Sequence, residues 1–248
     1  MRLLILGGTT EASALAAVLA RDASVEATLS LAGRTSAPVL PAIKTRVGGF
    51  GGARGLAAFL YGERPDAVVD ATHPFAARMS ANAVAACGEA RVPLAVFSRP
   101  PWRPEADDRW TQVPDMASAA AALGSPPRRV FLTVGRLALA AFAVAPKHRY
   151  LIRTIDAVGD LSAFPRHRLL RARGPFRVED EIALMRAEQI DCLITKNSGG
   201  DATRAKLDAA RALGLEVIMV TRPPASGAER FERLADVLAW IAGHRSPP

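Results

Sequence analysis

One pattern occurs twice in this chain, and that repetition restricts the possible folds more than any other feature. Residues 66–100 read DAVVDATHPFAARMSANAVAACGEARVPLAVFSRP, and residues 191–223 read DCLITKNSGGDATRAKLDAARALGLEVIMVTRP. Each segment opens on Asp and an apolar run. A short polar loop follows, then an Ala-rich helical stretch, a second apolar run, and Ser/Thr-Arg-Pro. A repeat of this length is one β-α-β unit used in two places. It predicts an α/β protein of two Rossmann-like halves with mainly parallel sheets and a cleft between them, and ligands in such folds sit at the carboxyl ends of strands. The proline-rich stretch Arg99–Pro104 is the expected hinge, giving an N-terminal domain over 1–98 and a C-terminal domain over 99–248.

The periodicity supports this division. In the first half, strands are expected at Arg2–Leu6, Val25–Leu31, Thr45–Val47, Asp66–Asp70 and Leu94–Phe97. Helices are expected up to about Arg21, up to about Tyr61, and over Pro74–Cys87. In the second half, strands are expected at Val130–Val134, Tyr150–Thr154, Cys192–Thr195 and Val217–Val220. Helices are expected from Gly135 to about Ala143, over Val178–Glu188 and Ala202–Leu213, and finally over Glu229–Ile241.

Composition narrows the function. Half the residues are hydrophobic, yet no apolar run is long enough to span a bilayer, and MRLLILGG reads as strand and turn rather than a signal peptide. Cys87 and Cys192 lie in apolar or Ala-rich stretches and read as small buried hydrophobes; with no Cys/His cluster, no metal site is expected. These features point to a cytoplasmic protein without membrane partners, a monomer or weak homo-oligomer. The net charge of +8 suits a polyanionic partner. Nucleic acid is disfavoured, because the basic residues are not interleaved with aromatics and no DNA- or RNA-binding motif is present. The densest basic stretch, 147–177, holds Lys147, Arg149, Arg153, Arg166, Arg168, Arg171, Arg173 and Arg177.

Four segments could carry chemistry. Gly7-Gly8-Thr9-Thr10-Glu11 follows the first strand. Glycines there let a backbone approach a phosphate, and the next helix offers free N–H groups; an ordinary tight turn is the plain alternative. At the end of the second strand stand Arg34 and Thr35, where an NAD site usually places an acidic residue. Arginine and hydroxyls suit the 2′-phosphate of NADP. Thr72 and His73 end the fourth strand, with His73 as a possible acid or hydrogen-bond donor. Their counterpart, Lys196-Asn197-Ser198-Gly199-Gly200 with Thr203 beyond it, reads as an anion-binding nest. No GxSxG, Walker lysine or HExxH is present, so hydride transfer, which asks the protein mainly for positioning, is the favoured chemistry.

At ILGGTTEA (5–12), DATHPFA (70–76), TKNSGG (195–200), AKLDAAR (205–211) and VIMVTRP (217–223) the chain resembles the precorrin-6A reductase family of cobalamin biosynthesis. The resemblance implies NADPH, a methylated tetrapyrrole with many carboxylates, and reduction of one ring double bond. Gly7, Gly8, Thr9, Thr10, Glu11, Arg34, Thr35, Thr72 and His73 would then meet the cofactor. Lys196, Asn197, Ser198, Gly199, Gly200 and Thr203 would meet the substrate. Lys196 is the candidate for electrostatic stabilisation and His73 for donating a hydrogen bond or proton, and the basic stretch would wall the substrate. Two other readings stay open: a different NADP-dependent reductase of small anions, and a non-enzymatic nucleotide- or RNA-binding α/β protein.

Overall fold

Leu3, Leu4, Ile5 and Leu6 are all buried, so the strand they form, β1 (Arg2–Leu6), is covered on both faces. In this computed structural model, which describes residues 1–33, 41–225 and 227–245, β1 is the third strand from the edge of a six-stranded sheet. Its neighbours are β2 (Glu26–Leu31), then β3 (Lys44–Val47) on one side. On the other are β4 (Ala67–Asp70), β5 (Leu94–Phe97) and β12 (Glu229–Phe231), and every pairing is parallel. The two-residue side-chain period splits β1 between two cores. Leu3 and Ile5 pack with α1 (Thr10–Leu19) and α7 (Leu234–Gly243), through Leu15, Leu19, Val237 and Ile241. Leu4 and Leu6 pack with α2 (Ala53–Glu63) and α3 (Ala77–Ala90), through Leu56, Leu60, Ala83 and Cys87.

The second unit repeats the plan. Its sheet runs β6 (Arg109–Val113), β11 (Glu216–Val220), β10 (Cys192–Lys196), β7 (Arg129–Leu132), β8 (Arg149–Thr154), β9 (His167–Arg171), again all parallel. One of its cores joins Phe131, Leu193, Val217 and Met219 to Met185 of α5 (Val178–Ala187) and Leu207 of α6 (Ala205–Ala212). A short helix, α4 (Met116–Ala122), is capped by Asp115, which accepts from Ser118 N–H at 2.7 Å.

The sequence repeat is a structural repeat, β4–α3–β5 against β10–α6–β11. Its leading aspartates do the same work. Asp66 accepts the N–H of Arg2 at 2.7 Å and returns its own N–H to the Arg2 carbonyl at 2.9 Å. Asp191 does this to Arg129 at the same two distances. Each closes the amino end of the central strand onto its neighbour.

The chain divides differently from the expected 1–98 and 99–248. One unit comprises Met1–Pro100 with Pro223–Pro248, the other Pro101–Arg222. The C-terminal segment, expected as a helix over Glu229–Ile241, opens as the strand β12, and only then becomes α7. Pairing decides this: Glu229, Arg230 and Phe231 lie beside Ala95, Val96 and Phe97. The edge strand β12 thus comes from a segment remote in sequence from the rest of its sheet, while β6 opens the second unit and pairs with β11 near that unit's other end. Ser98 N–H meets the Phe231 carbonyl at 3.0 Å, and Thr221 N–H meets that of Val113 at 2.8 Å. The expected helix after Gly135 is instead a 3₁₀ helix, Arg136–Phe142, and α3 begins at Ala77 rather than Pro74.

Ile241 comes from the far end of the chain yet is fully buried against β1 and α1. Ile241→Ala should destabilise the first unit by about 2–5 kcal/mol. Urea unfolding followed by hydrogen exchange should locate the loss in β1, β2 and β5. A loss confined to the second unit would contradict this division.

Candidate active site

The loop after β1 is built by two glycines with different tasks. A Cβ on Gly7 would lie 2.5 Å from Leu29 Cδ1 and 3.2 Å from Ala12 Cβ, so its small size lets α1 close against the sheet. Gly8 has φ +116°, a region that favours glycine, and a Cβ there would meet nothing within 4 Å. Thr9 caps α1: its Oγ accepts from Ala12 N–H at 3.1 Å and donates its single proton to the Ala71 carbonyl at 2.7 Å. That hydroxyl is therefore spent on the scaffold, tying the loop to the end of β4. What remains for a ligand is backbone. Among the described residues the N–H groups of Gly8, Thr9, Thr10 and Glu11 have no acceptor. Orphan donors at a helix N-terminus beside open space over Gly8 fit a dinucleotide pyrophosphate. The Thr10 and Glu11 side chains turn to Arg99 at the end of β5, which pairs with Glu11 at 2.9 Å.

At the end of β4, Asp70 is buried and accepts Thr72 N–H at 3.0 Å, Thr72 Oγ–H at 2.6 Å and Ser80 Oγ–H at 2.5 Å. Thr72 thus offers a ligand an acceptor oxygen, not a hydroxyl proton. His73 Nδ1 accepts Phe75 N–H at 3.2 Å, so a neutral ring carries its proton on Nε2 as a donor. Arg34 and Thr35 lie outside the described residues.

In the second unit the loop after β10 is held from within. Asn197 was expected to read a ligand, but its amide is a clamp. Oδ1 accepts Trp102 N–H at 2.8 Å and Nδ2 donates to the Trp102 carbonyl at 2.9 Å. Trp102 Nε1 donates to the Gly200 carbonyl at 3.0 Å, and Arg222 donates to the carbonyls of Asn197 and Ser198 at 2.9 and 3.1 Å. In a planar trans peptide the N–H points opposite to the C=O. Anchoring the Ser198 and Gly200 carbonyls therefore turns the N–H groups of Gly199 and Asp201 the other way. Those two N–H groups are what this loop can offer an anion, on a backbone whose φ is +69° at Gly199 and +75° at Gly200 rather than the alternating handedness of an anion nest. Lys196 stands at the head of the loop, and burial pushes its ammonium below the ordinary lysine value. Thr203 ends the 3₁₀ turn Asp201–Thr203 beyond the loop.

The family model for Precorrin-6x reductase CbiJ/CobK matches residues 2–242. The chain belongs to the precorrin-6x reductase family. It is 50% identical to the precorrin-6A reductase of Rhodobacter capsulatus, covering 100% of this chain and 98% of that protein. It is 51% identical to that of Rhodococcus erythropolis, over 97% of each. A cobalt-precorrin-6A reductase of Priestia megaterium is 28% identical over 89% of this chain and 90% of its own. The solved structure of a CobK precorrin-6A reductase matches with a TM-score of 0.92 and 50% identity, covering 100% of this chain and 98% of that one.

In this family member the two halves diverge at one equivalent position. Gly8 and Gly135 each stand six residues beyond the Asp-bracketed arginine, Arg2 or Arg129. Over Gly8 there is open space; beside Gly135, with φ +78°, Lys196 Nζ lies 3.9 Å from a built Cβ. The first loop leads into a capped α-helix, the second into a 3₁₀ helix without a side-chain cap. The first leaves open space beside orphan N–H groups, whereas the second carries its own cation.

The basic stretch 147–177 is not a single wall. Arg153 is buried in a bidentate pair with Glu181 at 2.5 and 2.9 Å, with Phe131 and Phe176 against its guanidinium. Lys147, Arg149 and Arg166 lie at the amino ends of β8 and β9, and Arg168 pairs with Glu188. Arg171 and Arg173 reach the carboxyl edge, the same edge as Lys196, because the sheet is parallel. Both thiols are buried, which pushes Cys87 and Cys192 up to about 12 and leaves no nucleophile there. Among the described residues no group of His, Cys, Asp and Glu could hold a metal, and no helix is long and apolar enough to cross a membrane.

Sequence reasoning missed Arg99, Trp102 and Arg222 as parts of these loops, although the repeated Ser/Thr-Arg-Pro was the signal for two of them. The Thr9 hydroxyl bridge is a scaffold element by this account. Thr9→Val should cost about 1–2 kcal/mol of stability, read by thermal or urea unfolding. A neutral effect would mean that the bridge to Ala71 does not hold the loop.

Proposed function

We propose that this protein is an NADPH-dependent precorrin-6A reductase of cobalamin biosynthesis, adding hydrogen across one ring double bond of a polycarboxylated, metal-free corrin precursor. The observation that carries the reading is end-to-end similarity to proteins named precorrin-6A reductase at about half identity, joined to a loop whose open glycine and orphan N–H groups suit a pyrophosphate. The metal-free form is favoured because the cobalt-precorrin relative is much more distant. The protein acts in the cytoplasm, as a monomer or weak homo-oligomer.

In this reading the first unit holds the cofactor and the second the macrocycle. NADPH, when bound, supplies a hydride, and one proton completes the addition. Gly8, Thr9, Thr10 and Glu11 present backbone N–H groups to the diphosphate, and Gly7, whose own N–H is spent on the Ser30 carbonyl, lets α1 close against the sheet beside them. Arg34 and Thr35 meet the 2′-phosphate, while Thr72 and His73 border the nicotinamide end. The loop of Asn197, Ser198, Gly199 and Gly200 binds substrate carboxylate through the N–H groups of Gly199 and Asp201, with Asn197 and Ser198 holding the backbone, Thr203 beside it, and Arg171 and Arg173 on the same edge. Hydride addition to a conjugated ring builds negative charge, which a nearby cation stabilises. Lys196 supplies that cation, and its lowered proton affinity also eases proton delivery. His73, with its proton on Nε2, donates a hydrogen bond; as the proton donor it would act from the imidazolium, which gives up the Nδ1 bond from Phe75 N–H.

Mixing the protein with NADPH and metal-free precorrin-6A should consume both in equal amounts, and cobalt-loaded precorrin-6A should react more slowly. Lys196→Met and His73→Ala should each lower kcat by about tenfold or more while leaving unfolding unchanged. Gly8→Ala, which places a side chain at positive φ over the loop, should leave the protein folded and abolish NADPH binding. Wild-type kcat in both side-chain variants would remove their catalytic assignment. Normal NADPH binding by Gly8→Ala would reduce the loop to a turn.

A further inference from the structure

Arg46 is held more firmly than a half-buried arginine needs to be, and with no counter-ion among the described residues. It lies on β3 opposite Ser30 of β2. Nη1 donates to Ser30 Oγ at 2.7 Å and to the Gly48 carbonyl at 3.0 Å, and Nη2 reaches the Gly49 carbonyl at 3.5 Å. One face of the guanidinium lies over Phe50, 4.0 Å from the ring centroid, with Phe59 at 5.3 Å. These contacts occupy both Nη1 protons and one on Nη2. Among the described residues the Nε proton and the second Nη2 proton have no acceptor, and no carboxylate lies within ion-pair distance. By contrast, Arg128, Arg153 and Arg211 each meet an acid. The fork is therefore oriented in advance, with two donors and a full charge left over.

Its position gives the surplus a purpose. The Ser30 residue that accepts Arg46 through Oγ also accepts Gly7 N–H through its carbonyl, at 2.9 Å. One buried serine thus joins the guanidinium to the loop proposed to bind the diphosphate. The carboxyl end of the second strand is where a dinucleotide's adenosine ribose lies in this fold, and a planar fork with two free donors matches phosphate. We infer that Arg46 is a specificity-determining residue that reads the 2′-phosphate of the cofactor through Nε and Nη2. Ser30 and Phe50 are the positioning residues that aim it. The inference rests on the NADPH reading and adds to it a residue whose orientation is built before the cofactor arrives.

Calorimetric binding of 2′,5′-ADP and of ADP, without substrate or turnover, tests it. Arg46→Met keeps a stem over Phe50 but removes the charge and the donors. It should weaken 2′,5′-ADP by about tenfold or more and leave ADP within about twofold. Arg46→Lys, which keeps charge but loses the fork, should fall between wild type and Arg46→Met. Thermal unfolding of both variants checks that the turn at Gly48–Phe50 survives. Equal losses for the two nucleotides, or no loss for either, would overturn the role of Arg46 while wild-type preference for 2′,5′-ADP would keep the NADPH reading intact. A wild-type protein that binds 2′,5′-ADP no better than ADP would overturn both.

Discussion

The left-handed turn of the backbone at Gly8 is the constraint on which the first unit's site depends. Without it the chain leaving β1 could not turn into α1 with open space left over Gly8 beside the unbonded N–H groups of the helix start. Its neighbours serve the same end by other means. Gly7 lets α1 press on the sheet, and the Thr9 hydroxyl joins the helix N-terminus to the end of β4. Asp70 then holds Thr72, and the loop carrying His73 continues from it. The helix start, the Thr72 oxygen and the His73 ring are thus each fixed by a separate hydrogen bond of the scaffold.

The second unit starts from the same plan and departs from it at the matching glycine. An ammonium with burial-lowered proton affinity stands beside Gly135, and a 3₁₀ helix replaces the capped α-helix. A positive side chain in that position removes the need for a helix dipole to attract an anion. The repeated plan therefore supplies two scaffolds with the same edge, and the ammonium beside Gly135, with open space over its counterpart Gly8, is what distinguishes them. The aspartate brackets at Arg2 and Arg129 remain in both, because they serve the sheet and are indifferent to what binds at its other end.

How much of this was legible in the sequence follows from the range of each interaction. The β4–α3–β5 repeat could be read because its apolar runs and its leading aspartates act locally. Strands β6, β9 and β12 could not. They are edge strands with polar, partly exposed residues, such as HRLLR at 167–171, and it is pairing with a buried neighbour, not their own pattern, that makes them strands. The return of the C-terminus to the first unit was hidden for the same reason. Among the site residues, the polarity of 195–200 was visible but its use was not. Asn197 resembles a ligand reader until its amide is found on the backbone of Trp102, 95 residues away. Arg46 was overlooked because an arginine in a short mixed strand carries no local signal; its orientation arises from Ser30 and Phe50. The Arg153–Glu181 pair shows the reverse case, since a basic stretch suggested a surface and its central member is buried.

The central claim is that the two similar halves are unequal, and that only the first accepts a dinucleotide. Amide hydrogen exchange with and without NADPH tests this most directly, since the proposed ligands are backbone N–H groups. The account predicts slowed exchange at Gly8, Thr9, Thr10 and Glu11, with Val134 to Leu137 unchanged. Protection after β7 in place of the loop after β1 would contradict it.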